Sequence, residues 1–154
     1  LGSDEKAKAL EVELFAQVRG EVLDELQALQ STARGIGTLD ALCSLAETGR
    51  LFGYCRPELH TGLELAFEEG RHPVLDQALV EEKFVPNDTV LDGATNALLV
   101  LTGPNMAGKS TYIRQVALLT LMAQMGSWVP ARRAVVGLAD RIFTSVGAND
   151  DLSR

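Results

Sequence analysis

Apolar residues recur at steps of three and four along the first stretch of the chain. Leu10, Leu14, Val18, Val22, Leu26 and Leu29 fall on one stripe, with Phe15 and Leu23 beside it and Glu21, Asp24 and Glu25 on other faces. That period predicts an amphipathic helix over Asp4 to Arg34, with Ser3 or Asp4 as its cap. Gly35 and Gly37 each cost a helix about 1 kcal/mol relative to alanine, so a kink or break is predicted there. Thr38 then caps a second helix, carried by Leu39, Leu42, Cys43, Leu45 and Ala46 and closed by Gly49.

Beyond Arg50 the pattern shortens to extended pieces, Leu51 to Tyr54 and Leu63 to Phe67, with Pro57 between them. Pro73 suits a first helical turn, with Val74, Leu75, Ala78 and Leu79 as the buried side of one or two turns. His72 reads as a stabiliser of that turn, since nothing nearby in sequence supplies the orienting partner that acid–base chemistry needs. Phe84 follows the charged run Glu81-Glu82-Lys83. It reads equally as an anchor for the turn Pro86-Asn87-Asp88 or, with Val85 beside it, as a flat apolar face for a base. Thr89 to Leu91 predicts a strand, and Asp92 to Asn96 a turn.

The apolar run Leu98 to Leu101 predicts a buried strand, and Ile113, Val116, Ala117, Leu119, Leu121 and Met122 predict a well-buried helix that Gly126 ends. Trp128-Val129, Ala134 to Val136 and Arg141 to Val146 are further strand candidates, and Arg132-Arg133 a solvated bend. Between the strand at 98–101 and its helix lie Gly103, Gly108, Lys109 and Ser110, which satisfy G-x-x-x-x-G-K-[ST] at every fixed position. Two glycines let successive N–H groups turn inward, and the helix starting near Gly108 adds its positive end. Such a concavity suits a polyphosphate, with Lys109 reaching the β- and γ-phosphates and Ser110 ligating magnesium.

The four variable loop residues, Pro104, Asn105, Met106 and Ala107, complete the string GPNMAGKSTYIRQ, which closely resembles the ATPase domain of the MutS family of DNA mismatch-repair proteins. Glu69 to Val74 (EGRHPV), SWVPA at Ser127 to Ala131 and DRIFTSVGANDDL at Asp140 to Leu152 are similar to the same family, so the resemblance covers nearly the whole chain. It implies an α/β fold: an incomplete P-loop NTPase sheet of the ABC type with a helical N-terminal extension. Residues 1–49 would be the end of a lever joining ATPase to DNA clamp, and 50–154 the N-terminal part of the ATPase domain. It implies ATP or ADP with Mg2+ as cofactors, bound by Gly103 to Thr111, with Phe84 and Val85 at the adenine, Lys109 and Ser110 in the chemistry and Ser110 on the metal. Ala107 departs from the family's frequent third glycine; a methyl fits if that residue does not need positive φ.

The resemblance also implies partners for a longer protein: mismatched double-stranded DNA held by other regions, a second MutS-like subunit met through the loop at Gly147 to Arg154, and downstream repair proteins. A signature segment and an acidic magnesium-site strand should follow in the family, so this chain alone is expected to be hydrolytically incompetent. An exposed sheet edge predicts marginal stability or self-association.

Composition narrows these expectations. At 154 residues and 46% hydrophobic the chain can bury a core, and a net charge of −7 argues against it gripping a nucleic-acid backbone by itself. Cys43 and Cys55 are too few and isolated for a zinc site or disulfide framework, which predicts reduced thiols in a cytoplasmic setting. No apolar run approaches the ~20 residues of a membrane span. Two alternatives stand beside the ATP-binding switch. A small P-loop kinase would have only Arg132, Arg133 and Arg141 for its phosphate-stabilising cations. A helical interaction or structural fragment would leave the loop empty.

Overall fold

The computed structural model describes residues 2–79 and 83–144. They fall into two compact units that divide between Cys43 and Ser44, each treated by itself below.

The first unit is helical. α1 spans Ser3–Asp24 and α2 begins at Leu26, so the interruption falls at Glu25 rather than at the glycines. α2 runs Leu26–Leu51, straight through Gly35 and Gly37, which corrects the predicted break. Helix propagation is cooperative once nucleated, and two glycines flanked by good helix formers do not overcome the bonds on either side. Thr38, expected as a cap, instead donates its hydroxyl to the Arg34 carbonyl at 2.9 Å, one turn back inside the helix. The α1 stripe of Leu10, Leu14, Val18 and Val22 is present, but each of these side chains is exposed.

The second unit contains a four-stranded mixed sheet with the order β1-β4-β2-β3, numbered along the chain. Its strands are β1 (Glu58–His60), β2 (Leu65–Gly70), β3 (Asn87–Leu91) and β4 (Arg133–Gly137). β4 pairs in parallel with β1 and antiparallel with β2, and β2 pairs antiparallel with β3. Register places Phe67 opposite Ala134 and Leu65 opposite Val136, so the buried positions of the two central strands coincide on one face. Among the described strands, β1 and β3 are the sheet's edges.

Helix α4 (Lys109–Gln124) covers that face. Gln115, Leu119 and Ala123, at steps of four, are its buried stripe, and Leu119 and Ala123 join Phe67, Val129, Ala131, Ala134 and Val136 in the core. The sequence predicts a well-buried helix, apolar on more than one side. Ile113, Leu121 and Met125 are exposed, because the described sheet lies against one side of it only. Its end follows the sequence: Gly126 at φ 88° donates to the Ala123 carbonyl, and Ser127 N–H reaches back to Met122 O. This paired return of N–H groups satisfies the last carbonyls of the helix.

Several predicted strands did not form. Leu98 to Leu101 is irregular and exposed, since a run of apolar residues becomes a strand only when neighbours accept its backbone groups, and none of the described strands pairs with it. Leu51 closes α2 and Phe52-Gly53 turn, so the piece 51–54 is not extended. Cys55 and Val129 meet in an isolated bridge, all that remains of the Trp128-Val129 strand. Arg141 to Thr144 is irregular, and the rest of the 141–146 candidate, like the loop 147–154 and Glu81-Glu82, lies outside the described residues.

The cysteines differ in setting. Cys43 is exposed, whereas Cys55 is half-buried and burial pushes its thiol up from the ordinary value. Under native conditions at neutral pH, a thiol-specific disulfide reagent is expected to label Cys43 first and Cys55 only slowly. Equal labelling rates would contradict that packing.

Candidate functional site

The turn before the loop forms as predicted. The Asp92 carboxylate accepts the Ala94 and Asn96 amides, each at 2.8 Å, and the Thr95 hydroxyl. Those hydrogen bonds, that of Thr95 first, push its pKa down to about 2. From there the chain passes through 98–102 into the loop.

Positive φ occurs at both glycines of the pattern, Gly103 at 145° and Gly108 at 82°, and also at the variable position Met106, at 64°. Gly108 is thereby the N-terminal boundary of α4, in a conformation that a side chain would strain. Ala107 has no positive φ, so the condition on its methyl is met and the missing third glycine costs the loop nothing here. Met106, by contrast, holds a left-handed backbone with its side chain fully exposed.

The Lys109 ammonium turns back over the loop, donating to the Gly103 carbonyl at 2.7 Å and to that of Pro104. The first helical bond of α4 runs from Tyr112 N–H to Gly108 O. The amides of Lys109, Ser110 and Thr111 precede it and have no acceptor inside the helix. A cavity of about 440 Å3 lies at this end, lined by Ala107, Gly108, Lys109 and Tyr112 from the loop and helix, by Leu99, Leu101 and Thr102, and by Asn87 to Val90 of β3.

Sequence reasoning placed Phe84 and Val85 in the same site. They line a different cavity, of about 620 Å3, with Arg71, Asp76, Leu79, Lys83 and Pro86. Ser110 is exposed and does not line the loop cavity, while Thr111 is half-buried behind it. Three residues were not expected at the site from the sequence: Tyr112, and Thr89 and Asp88, which the sequence assigns only to a strand and a turn. The Tyr112 hydroxyl lies 2.8 Å from Thr89 Oγ1 and donates to Asp88 O at 3.2 Å. The available signal was an aromatic hydroxyl three positions after the lysine, on the same face of the first turn.

Around this end of the sheet the charges are paired. Arg132 binds Glu68 at 2.6 Å and Glu69 at 3.1 Å, and Arg133 lies 3.7 Å from both Glu58 and Glu68. His72 plays the structural part expected of it: its Nδ1 accepts the amides of Val74 and Leu75 at the start of α3 (Leu75–Ala78). The ring is 1% exposed, and burial first, then the Arg114 charge, lowers its pKa from 6.5. A lowered histidine pKa means that the unfolded chain takes the proton first. The stability that the neutral ring contributes is therefore full above about pH 6.5 and is lost as pH falls from there towards the folded value. Urea midpoints compared at about pH 7.5 and 5.5 should fall less in His72→Gln than in the parent chain; equal falls would contradict it.

A family model described as MutS domain V matches residues 99–154, the loop and everything after it. The DNA mismatch repair protein MutS of Ruminiclostridium cellulolyticum is 51% identical over 153 residues, which is 99% of this chain and 18% of that protein. Its namesake from Alkaliphilus oremlandii is 49% identical over all 154 residues, again 18% of its length. That of Synechococcus sp. strain CC9311 is 51% identical over 148 residues, 96% of this chain and 16% of the relative. This chain thus spans less than a fifth of the length of the relatives it matches, and along that span it belongs to the MutS family of DNA mismatch repair proteins.

Proposed function

We propose that the chain binds the triphosphate of ATP, with magnesium, at Gly103 to Thr111, and that the surrounding unit is part of a P-loop ATPase sheet. The observation that carries this reading is the Lys109 ammonium folded over a left-handed glycine loop at the N-terminus of α4. A cation, the unpaired amides of a first helical turn and a helix dipole converge on one cavity, a donor set suited to an anion of several charges. The Lys109 ammonium already bonds oxygen atoms there, so phosphate oxygens would replace carbonyls chemically like them. Ser110, one residue further and exposed, is the hydroxyl available to a magnesium ion. ATP or ADP would be held with Phe84 and Val85 towards the base.

In a longer protein of this family, nucleotide held here would be coupled to recognition of mismatched DNA, to a second such subunit and to later repair proteins. The kinase alternative is weaker, since Arg132 and Arg133, two of its three candidate cations, are engaged by Glu58, Glu68 and Glu69. The test is a calorimetric titration of the chain with a non-hydrolysable ATP analogue, with and without magnesium. Saturable, magnesium-dependent heat is expected; its absence at millimolar analogue would leave the interaction-fragment reading in its place.

A further inference from the structure

We propose that Tyr112 is a positioning residue of the phosphate loop: its hydroxyl, held by Asp88 and Thr89 of β3, fixes the direction in which the first turn of α4 presents its amides. This rests on the nucleotide reading above. A phenol has one proton to donate, and it goes to the Asp88 carbonyl; Thr89 Oγ1 at 2.8 Å then donates to the phenol oxygen. Thr89 is 3% exposed, so its contact with the phenol lies where water competes poorly, while the phenol's bond to the Asp88 carbonyl is exposed.

The other end of this tie is itself fixed. Thr89 is in register with Phe67 in the core, and the ladder is irregular between Phe67 and Gly70. There Glu69 takes φ 51° and its amide is turned to donate to Asp88 Oδ1 at 2.8 Å. The Glu69 carboxylate is in turn paired with Arg132. Asp88 is thus held through its side chain from β2 while its carbonyl holds Tyr112. At the far end of α4, Gln124 exchanges two hydrogen bonds with the Ala139 backbone, at 3.1 and 2.8 Å. The helix is fastened to the sheet unit at both ends.

The loop from Thr102 to Ala107 is irregular and exposed, so its placement relative to the cavity is set from its helical end. Lys109 and Tyr112 stand on one face of one turn and line the same cavity. Removing the hydroxyl leaves the ring in place but frees the turn to rock, and amides that no longer converge bind an anion less tightly because the ordering must then be supplied on binding. The effect should fall on the phosphates and not on the base.

The experiment titrates magnesium with ATP, and separately with inorganic tripolyphosphate, into the 154-residue chain and its Tyr112→Phe, Thr89→Val, Thr89→Ser, Lys109→Ala and double Tyr112→Phe/Thr89→Val variants, with melting temperatures recorded without ligand. Tyr112→Phe and Thr89→Val are each expected to weaken both ligands by the same factor, about 5-fold. The double variant should be no worse than either single, and Thr89→Ser should bind like the parent. A Tyr112→Phe chain that melts earlier but binds both ligands undiminished overturns the proposal, as does a loss seen with ATP but not with tripolyphosphate. If the parent fails to bind, or Lys109→Ala binds equally well, the nucleotide reading itself is wrong and this inference falls with it.

Discussion

Replacing Gly137 by alanine is expected to destabilise the sheet unit by on the order of 3 kcal/mol, enough to leave much of it unfolded. A Cβ built at Gly137 would overlap the Gly62 carbonyl oxygen and lie 2.9 Å from that of Glu64. Both obstacles are backbone, and the Glu64 carbonyl and the His60 carbonyl beside them are held in the sheet. Gly137 N–H donates to Glu64 O at 2.7 Å, and Leu138 N–H donates to His60 O at 3.0 Å. To admit a methyl, the β1 pairing or the entry to β2 must move, and with it the register that aligns Val136 with Leu65. Gly37→Ala supplies the contrast: its Cβ meets nothing within 4 Å inside α2, so the change should raise helix stability by about 0.5–1 kcal/mol. Urea unfolding followed by circular dichroism measures both. A Gly137→Ala midpoint within error of the parent would mean that the strand packing is wrong.

Lys109→Ala should weaken magnesium–ATP binding about 100-fold. A charged hydrogen-bond donor contributes about 1.5–3 kcal/mol to a contact with oxygen, and here it would be shared among phosphate oxygens with no second cation lining the described cavity. Arginine should not rescue it, since a planar fork on a longer stem cannot occupy the space in which one ammonium reaches Gly103 O and Pro104 O together. Because, among the described residues, Lys109 bonds its own loop and not the core, the melting temperature without nucleotide should change little. Binding that survives the substitution, measured by titration, would make the loop a structural turn with a fortuitous pattern.

Local signals read well where the chemistry is local. The Gly126 helix end, the Asp92 to Asn96 turn, the strands at Thr89 to Leu91 and Ala134 to Val136 and the left-handed glycines of the loop all follow from residues within a few positions of one another, although the strands also take in Asn87-Asp88, expected as a turn, and Arg133, expected in a solvated bend. β1 escaped notice because Glu58, Leu59 and His60 carry no alternation and follow a proline; only pairing with β4, more than seventy residues later, makes them a strand. Leu98 to Leu101 failed in the opposite sense, having strand composition but no described partner. Tyr112 and Thr89 are 23 positions apart, and no periodicity announces that their hydroxyls meet.

Taken alone, the order of residues determined the loop, its lysine, the helix that follows and the family likeness, since each depends on backbone freedom and spacing over a dozen positions. Tertiary structure decided which apolar residues are buried, that α2 outlasts its glycines, that Phe84 and Val85 line a cavity apart from the loop, and that β3 holds the start of α4. Those outcomes depend on which distant backbone and side-chain groups come within hydrogen-bonding or packing distance, and that is a property of the folded arrangement rather than of any short stretch.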